Sequence, residues 1–297
     1  MKSSAIGFQL VWSLVIAMTF SCLSKQEISV LKYYNYDTSL PLEDSTRLVA
    51  DSVSYKLYEI GYTSTHNKGV DALLTIPKAE KQPMPVVILL HGKGDRKTVD
   101  YIEFGHQYLV DHGYAVLRID IANHGVRKEK DYKFNLTDGY RYWTRDIITQ
   151  TVFDLRRAID LLEIRDDVDA NKIGYYGISL GGIIGTIFCG VDDRVKAPVI
   201  ALAGGNLSLM FGLDALKDDT KDFFSIIDPI NFVENIQPRP FLMINSENDE
   251  IIDPITSKLL FSKANEPKEI KWYPSKHRDL PIDKAFGDGV EWYKKHL

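Results

Sequence analysis

Residues 175–182 read Tyr-Tyr-Gly-Ile-Ser-Leu-Gly-Gly, and they join the strand pattern of residues 172–176 to the apolar helical pattern of residues 180–189. The sequence therefore predicts a strand, a sharp turn and a helix in direct succession, with Ser179 at the turn. Glycines stand on both sides of the serine because a side chain there would clash in so tight a turn. At the start of a helix, backbone N–H groups and the positive end of the helix dipole face the serine oxygen.

A serine presented in this way is a candidate nucleophile. The hydroxyl is a poor nucleophile at neutral pH, so it needs a general base, and the base needs a carboxylate that orients it. After a G-x-S-x-G turn these partners follow in the order serine, acid, histidine, each on a loop after a strand. The alternative is a glycine-rich helix start with no catalytic role.

The predicted acid is Asp249, which lies in the loop after the apolar strand Phe241–Ile244. Two neighbouring acids compete with it. Glu247 is interpreted as a solvated loop charge. Asp253 directly precedes a proline at a predicted helix start, so we expect it to cap that helix.

The predicted base is His277, which follows the predicted strand Glu269–Tyr273. Six other histidines occur in the chain, and none of them lies on the loop after the last strand. They are His66, His91, His106, His112, His124 and His296.

Two backbone N–H groups are predicted to bind the oxyanion of an acyl-transfer reaction. One belongs to Leu180, directly after the serine. The other belongs to Lys93, just beyond the first buried strand, where chains with this turn supply the second donor. His91, on the same loop, is interpreted as a residue that braces the loop.

The rest of the chain alternates strand and helix patterns, which is typical of an α/β sheet covered on both faces. We expect a mainly parallel twisted sheet with an antiparallel hairpin at its leading edge. The predicted strands are 55–60, 70–76, 86–90, 115–119, 172–176, 199–202, 241–244 and 269–273. The predicted helices are 99–112, 142–164, 180–189, 254–264 and 283–296.

From about Tyr55 onward the chain resembles the α/β-hydrolase superfamily, within it the esterase, dienelactone-hydrolase-like and prolyl-oligopeptidase-type branch. The resemblance rests on residues 90–92, 120–125 and 177–182, Asp249 and His277. It implies an α/β-hydrolase fold, a catalytic triad of Ser179, Asp249 and His277, and oxyanion donors at Lys93 and Leu180. Two features depart from the family pattern: Lys276 and Arg278 flank the histidine where glycine is frequent, and dienelactone hydrolases proper use cysteine as nucleophile.

The first 22 residues have the pattern of an export signal, with Lys2 before a mostly apolar stretch. Cys22 follows a small residue, as in bacterial lipoprotein signals, and lipidation there would tether the protein to a membrane surface. Ordinary secretion is the alternative. We predict an exported protein, either a cell-envelope lipoprotein or a periplasmic or secreted protein, with residues 23–50 as tether and N-terminal arm and residues 51–297 as the hydrolase domain.

Composition excludes several other classes of protein. The formal charge of −5 offers no basic excess for nucleic acid. No cluster of His, Cys or Glu has the spacing of metal ligands, and no cofactor is predicted. The second of the two cysteines, Cys189, lies in an apolar helical stretch and is expected to be buried.

The predicted function is hydrolysis of small-molecule carboxylic esters through an acyl-enzyme intermediate. An exopeptidase or amidase of the same fold and an inactive surface binding protein are the alternatives. Residues 205–238, rich in apolar side chains, form either a short lid over the site or ordinary packing over the sheet. The acyl and alcohol groups and the oligomeric state are left open.

Overall fold

A nine-stranded sheet forms the centre of the computed structural model, which describes residues 29–78, 83–131, 134–137 and 139–297. The predicted export signal and Cys22 lie outside the described residues. The strands are β1 Ser45–Asp51, β2 Tyr55–Ser64, β3 Lys68–Pro77, β4 Met84–Leu90, β5 Ala115–Ile119, β6 Val168–Ile178, β7 Val195–Ala201, β8 Phe241–Ser246 and β9 Lys268–Tyr273. The helices are α1 Asp100–Asp111, α2 Arg141–Glu163, α3 Leu180–Val191, α4 Asp218–Phe224, α5 Pro254–Lys263 and α6 Ile282–His296.

The strands lie in the order β1-β2-β3-β5-β4-β6-β7-β8-β9. The pairs from β5 through β9 are parallel, whereas β1, β2 and β3 pair antiparallel, and β3 joins the parallel part by pairing antiparallel with β5. This order confirms the predicted mainly parallel sheet with an antiparallel hairpin at its leading edge.

Helices cover both faces of the sheet, as predicted. Along β4, Val86 and Ile88 enter the core under α2 and α3, and Val87 and Leu89 enter the core under α1 and α6. Successive side chains of a strand point to opposite faces, so a strand that is covered on both sides must be apolar throughout. That requirement explains the continuous apolar run that identified β4.

The structure differs from the sequence analysis at the N-terminal arm, where residues 45–51 form the edge strand β1 within the sheet. Most side chains of β1 are exposed, so the strand lacks the apolar alternation by which strands are recognised in a sequence. The arm before it also packs on the domain. Tyr34 is fully buried, and its hydroxyl donates a hydrogen bond to the Ile226 carbonyl at 2.6 Å.

The segment predicted as lid or packing contains a 3₁₀ segment over Leu207–Leu216 and the short helix α4. Phe223 and Phe224 on α4 are buried in the core under α2 and α3. The buried Asp228 holds the start of the segment, because its carboxylate accepts the N–H groups of Asn206 and Leu207 at 2.7 and 2.6 Å. Burial raises the pKa of Asp228, and it outweighs these backbone hydrogen bonds, which by themselves would lower the pKa. The base of the segment is thus firmly packed, and movement as a lid stays a prediction.

Cys189 is buried on α3, as expected, and its thiol is free among the residues that the structure describes. Burial raises the pKa of its thiol well above the ordinary value, so the group behaves as a small apolar side chain. Across the described ranges, no helix has both the length and the apolar character needed to cross a membrane.

Candidate active site

Ser179 lies between the end of β6 and the start of α3 with φ 56° and ψ −116°. A positive φ is strained for any residue other than glycine, and it is the conformation by which a strand-to-helix turn exposes a serine. The Ser179 N–H donates to the Ala201 carbonyl at 2.9 Å, which ties the turn to the neighbouring strand β7. The backbone strain is therefore held in place by the sheet.

Two glycines make this turn possible. A Cβ at Gly177 would lie 2.4 Å from the Gly181 carbonyl oxygen, and a Cβ at Gly181 would lie 2.5 Å from the Leu90 carbonyl oxygen. Both contacts are with backbone, which cannot move aside cheaply. The first turn of α3 thus packs directly against the end of β4, which brings two distant parts of the chain to one edge of the sheet.

A continuous chain of hydrogen bonds joins the three residues predicted as a triad. His277 Nε2 lies 3.0 Å from Ser179 Oγ, and His277 Nδ1 lies 2.7 Å from Asp249 Oδ2. Asp249 and His277 are both buried. With Nδ1–H donated to the carboxylate, Nε2 is the nitrogen able to accept the serine proton.

The carboxylate of Asp249 is held on its other oxygen as well. Its Oδ1 accepts the N–H groups of Ile251 and Ile252 at 2.9 and 2.8 Å. Two backbone donors on one oxygen fix the orientation of the carboxylate. Asp249 is therefore placed to hold the imidazole of His277 in one orientation and one tautomer.

The loop that carries His277 is braced by residues that the sequence analysis did not single out. The exposed Glu250 accepts the His277 N–H at 3.2 Å, and backbone hydrogen bonds lower the pKa of this carboxyl. Ser246 at the end of β8 contacts the Ser275 hydroxyl at 2.8 Å and donates to the Lys276 carbonyl at 3.2 Å. The loops after β8 and β9 are thereby joined to each other.

The two acids that compete with Asp249 in the sequence, Glu247 and Asp253, make other contacts in the structure. Asp253 caps α5, where its carboxylate accepts the Ile255 N–H at 2.9 Å, which confirms the predicted capping. Glu247 joins its loop to β9 through its backbone, whose N–H donates to the Tyr273 carbonyl at 2.8 Å. Neither side chain contacts His277 among the hydrogen bonds of the described residues.

His91 is the most buried of the other histidines, and it braces two loops. Its Nδ1 lies 2.7 Å from the Gly92 carbonyl, and its Nε2 accepts the Ile121 N–H at 3.1 Å. Burial lowers its pKa to about 4, so the ring is neutral near pH 7. The other histidines have partners away from Ser179: Gln150 for His66, Thr75 for His106, Tyr108 for His112, Ala122 for His124 and Trp292 for His296.

The two predicted oxyanion donors lie on either side of the serine turn, one on α3 and one on the loop after β4. Leu180 is the first residue of α3, where backbone N–H groups have no partner within the helix. Lys93 follows Gly92, where an added Cβ would lie 3.4 Å from Ser179 Cβ. Within the described part of the chain, neither N–H donates a hydrogen bond. Their role as oxyanion donors stays a prediction.

Tyr101 at the start of α1 clamps the Lys93 loop, and no sequence pattern pointed to it. Its hydroxyl accepts the Gly92 N–H at 2.8 Å and donates to Asp95 Oδ2 at 2.8 Å. Burial raises the pKa of Tyr101, so the phenol stays protonated and can make both bonds at once. The residue before Lys93 is thereby held in place.

Asp120 lies in the stretch 120–125, one of the stretches on which the family resemblance rests. Its side chain also braces a neighbouring part of the chain, at Lys97. It is fully buried and accepts both the N–H and the Nζ of Lys97, at 2.6 and 2.7 Å. Hydrogen bonds and the charge of Lys97 outweigh burial and lower the pKa of Asp120.

Among the residues that the structure describes, no group of three or more His, Cys, Asp or Glu could hold a metal ion.

Comparison with solved structures shows the same fold in known esterases. The acetyl xylan esterase from Paenibacillus sp. R4 superposes with a TM-score of 0.72 at 21% identity, over 91% of this chain and 99% of that one. Acetyl xylan esterase 1 from Thermoanaerobacterium sp. JW/SL YS485 gives a TM-score of 0.70 at 18% identity, over 90% and 93% of the two chains. The predicted α/β-hydrolase fold is confirmed.

Curated relatives match a shorter region. YtaP of Bacillus subtilis (strain 168), which carries the name of a hydrolase, is 32% identical over 139 residues, 41% of this chain and 44% of YtaP. Esterase FrsA of Serratia proteamaculans (strain 568) is 28% identical over 96 residues, 32% of this chain and 22% of FrsA. The matched region spans less than half the length of each of these relatives.

The sequence model of one family matches residues 20–203, which include the Lys93 loop, the 120–125 stretch and the Ser179 turn. More than half of the chain is covered by this match. The chain therefore belongs to the acetyl xylan esterase (AXE1) family.

Proposed function

We propose that the protein hydrolyses carboxylic esters with Ser179 as nucleophile, through an acyl-enzyme intermediate. The observation that carries the proposal is the hydrogen-bond chain from Ser179 Oγ through His277 to Asp249, with distances of 3.0 and 2.7 Å. Membership of an esterase family supports it.

In the first half-reaction Ser179 Oγ attacks the ester carbonyl while His277 Nε2 takes the hydroxyl proton. The imidazolium is stabilised by Asp249, and it then gives the proton to the departing alcohol. In the second half-reaction a water molecule attacks the acyl group on Ser179, and His277 again takes and returns a proton. The products are an alcohol and a carboxylic acid.

Negative charge develops on the carbonyl oxygen in both half-reactions, and the N–H groups of Leu180 and Lys93 are the proposed donors to it. Donors that are fixed before the reaction stabilise the transition state without reorganisation. The loop of Lys93 meets this condition because Tyr101 and His91 hold Gly92 from two sides.

For the acyl group we propose acetate, supported by the family to which the chain belongs. The test is a series of p-nitrophenyl esters from acetate to octanoate, together with alanine p-nitroanilide. We expect the highest kcat/KM for the acetate and little turnover of the anilide. Faster turnover of the long-chain esters would contradict the acetyl preference, and faster turnover of the anilide would favour an exopeptidase.

The clamp on the Lys93 loop leads to a further prediction. In Tyr101→Phe the Gly92 N–H loses its acceptor, and Asp95 loses a donor. A group left without its partner in a partly buried site costs about 1–3 kcal/mol, so we expect kcat for p-nitrophenyl acetate to fall about tenfold with little change in KM. A change in KM alone would indicate a role in substrate binding instead.

Tyr108→Phe is the matched control. Tyr108 lies on the same helix and stacks on Phe104, and its hydroxyl makes no hydrogen bond to another described residue. We expect wild-type kcat for this variant. Equal losses in both variants would show that the effect comes from α1 as a whole and not from the clamp.

A further inference from the structure

A cavity of about 230 Å³ opens beside the Lys93 loop, at the edge of the sheet where Ser179 lies. It lies between this loop and the chain that follows β5. The residues that line it include Lys93, Lys128, Lys130, Asp131 and Phe134. None of these side chains has a part in the proposed mechanism, in which Lys93 acts through its backbone.

The lining of this cavity is cationic, although the chain as a whole has a net charge of −5. Three lysines face one aspartate. Lys128 is neutralised by Asp131, with 3.0 Å between Nζ and Oδ1. For Lys93 and Lys130, no ion pair with a carboxylate exists among the residues described by the structure. Within the described part of the chain, two positive charges at the cavity are thus not paired with a carboxylate.

Both of these lysines lie against aromatic rings. Lys93 Nζ is 5.4 Å from the ring centre of Phe134, and Lys130 Nζ is 4.0 Å from the ring centre of Trp143. An aromatic face attracts a cation but carries no net charge. The rings therefore position the two ammonium groups and leave their charge available to an anion.

The position of the cavity connects it with the reaction. A Cβ added at Gly92 would lie 3.4 Å from Ser179 Cβ, so this loop passes beside the serine, and the N–H of the next residue, Lys93, is the proposed donor to the carbonyl oxygen. An ester bound there extends in two directions, one for the acyl group and one for the alcohol. A larger cavity of about 660 Å³ shares Asn123, Lys128, Lys130 and Ile147 with the first, so this side has room for the larger of the two groups.

We propose that the cavity beside Lys93 binds a carboxylate on the alcohol part of the substrate, with Lys93 and Lys130 as the recognising cations. The inference rests on the proposed esterase function and names the class of substrate: an acetate ester of an alcohol that bears a carboxylate. A charged rim of this kind steers anions toward the site and discriminates against neutral analogues.

The experiment compares 4-acetoxybenzoate with its neutral counterpart 4-acetoxybenzamide. For each, kcat/KM is divided by the rate constant for hydrolysis by hydroxide, which removes the difference in intrinsic reactivity. We expect the anionic ester to be preferred in the wild type. We expect Lys130→Gln to lower this preference about fivefold and the double variant Lys93→Gln/Lys130→Gln to lower it further, since one exposed charge at contact distance is worth a factor of this size.

Lys258→Gln is the control of equal charge change. Lys258 is exposed on α5 and also lies over an aromatic ring, with Nζ 5.6 Å from the ring centre of Trp272, but it does not line the cavity. We expect it to keep the wild-type preference. High salt should weaken the preference in the wild type, because exposed charges are screened.

Each outcome decides between the two proposals. Turnover of both esters without preference for the anion, or a preference that Lys130→Gln leaves intact, would overturn the inference and leave the esterase function standing. An equal loss in Lys258→Gln would attribute the preference to overall charge and overturn the cavity as its source. Absence of turnover of either ester, and of p-nitrophenyl acetate, would contradict the esterase function itself.

Discussion

Ser179→Ala is expected to lower kcat for p-nitrophenyl acetate by about 10⁴- to 10⁶-fold while the protein stays folded. The substitution removes the oxygen that attacks the ester and leaves Nε2 of His277 without its hydrogen-bond partner. The fold should survive, because the turn is held by its two glycines and by the bond of the Ser179 N–H to β7. Circular dichroism tests whether the variant stays folded, and steady-state kinetics measure the loss in kcat.

A fluorophosphonate probe gives a second readout of the same prediction. It should label the wild type and fail to label Ser179→Ala. Ser262→Ala is the control, since the Ser262 hydroxyl is exposed and donates within its own helix, to the Leu259 carbonyl. Turnover of p-nitrophenyl acetate by Ser179→Ala at close to the wild-type rate would rule out Ser179 as nucleophile. An unlabelled wild type would favour an inactive binding protein.

Asp249→Asn is expected to lower kcat by about 10³- to 10⁴-fold. The asparagine has nearly the same shape, so the backbone bonds from Ile251 and Ile252 can still form. The charge that stabilises the imidazolium is lost, however, and an amide NH₂ facing Nδ1 favours the tautomer that carries its proton on Nε2. In that tautomer His277 cannot accept the serine proton.

Asp253→Asn tests whether the effect belongs to Asp249 or to the loop. Asparagine caps helices about as well as aspartate, so this variant should keep both stability and kcat. If the two variants lost the same activity, the carboxylate of Asp249 would have no special role. The double variant Ser179→Ala/Asp249→Asn should be about as slow as Ser179→Ala alone, because residues that act as one unit do not contribute additively.

The elements that the sequence predicted well are those that local patterns define. The continuous apolar run of β4, the glycine–serine turn at Ser179 and the helical period of α2 are all recognisable within a few neighbouring residues. Their order along the chain was sufficient for the expected positions of Asp249 and His277, since a parallel sheet places the ends of its strands at one edge. The structure brings these residues to Ser179 within hydrogen-bond distance.

The features that the sequence did not reveal depend on contacts between distant segments. β1 is a strand because β2 pairs with it, although its own side chains are mostly exposed. The Tyr101 clamp exists because the start of α1 returns to the loop at Gly92, and no residue period records this contact. A local pattern cannot contain such information, because the distance between two segments is set by the packing of everything between them.

The serine turn, the chain order of its partners and the α/β alternation were thus determined by the sequence itself, because each is expressed in the spacing of adjacent residues. Tertiary structure alone decided which residues brace the Lys93 loop and that Lys93 and Lys130 line one cavity. These two lysines are far apart in the chain and line one cavity only after β4 and β5 pair side by side. Local spacing predicts the elements, and long-range packing assembles the site.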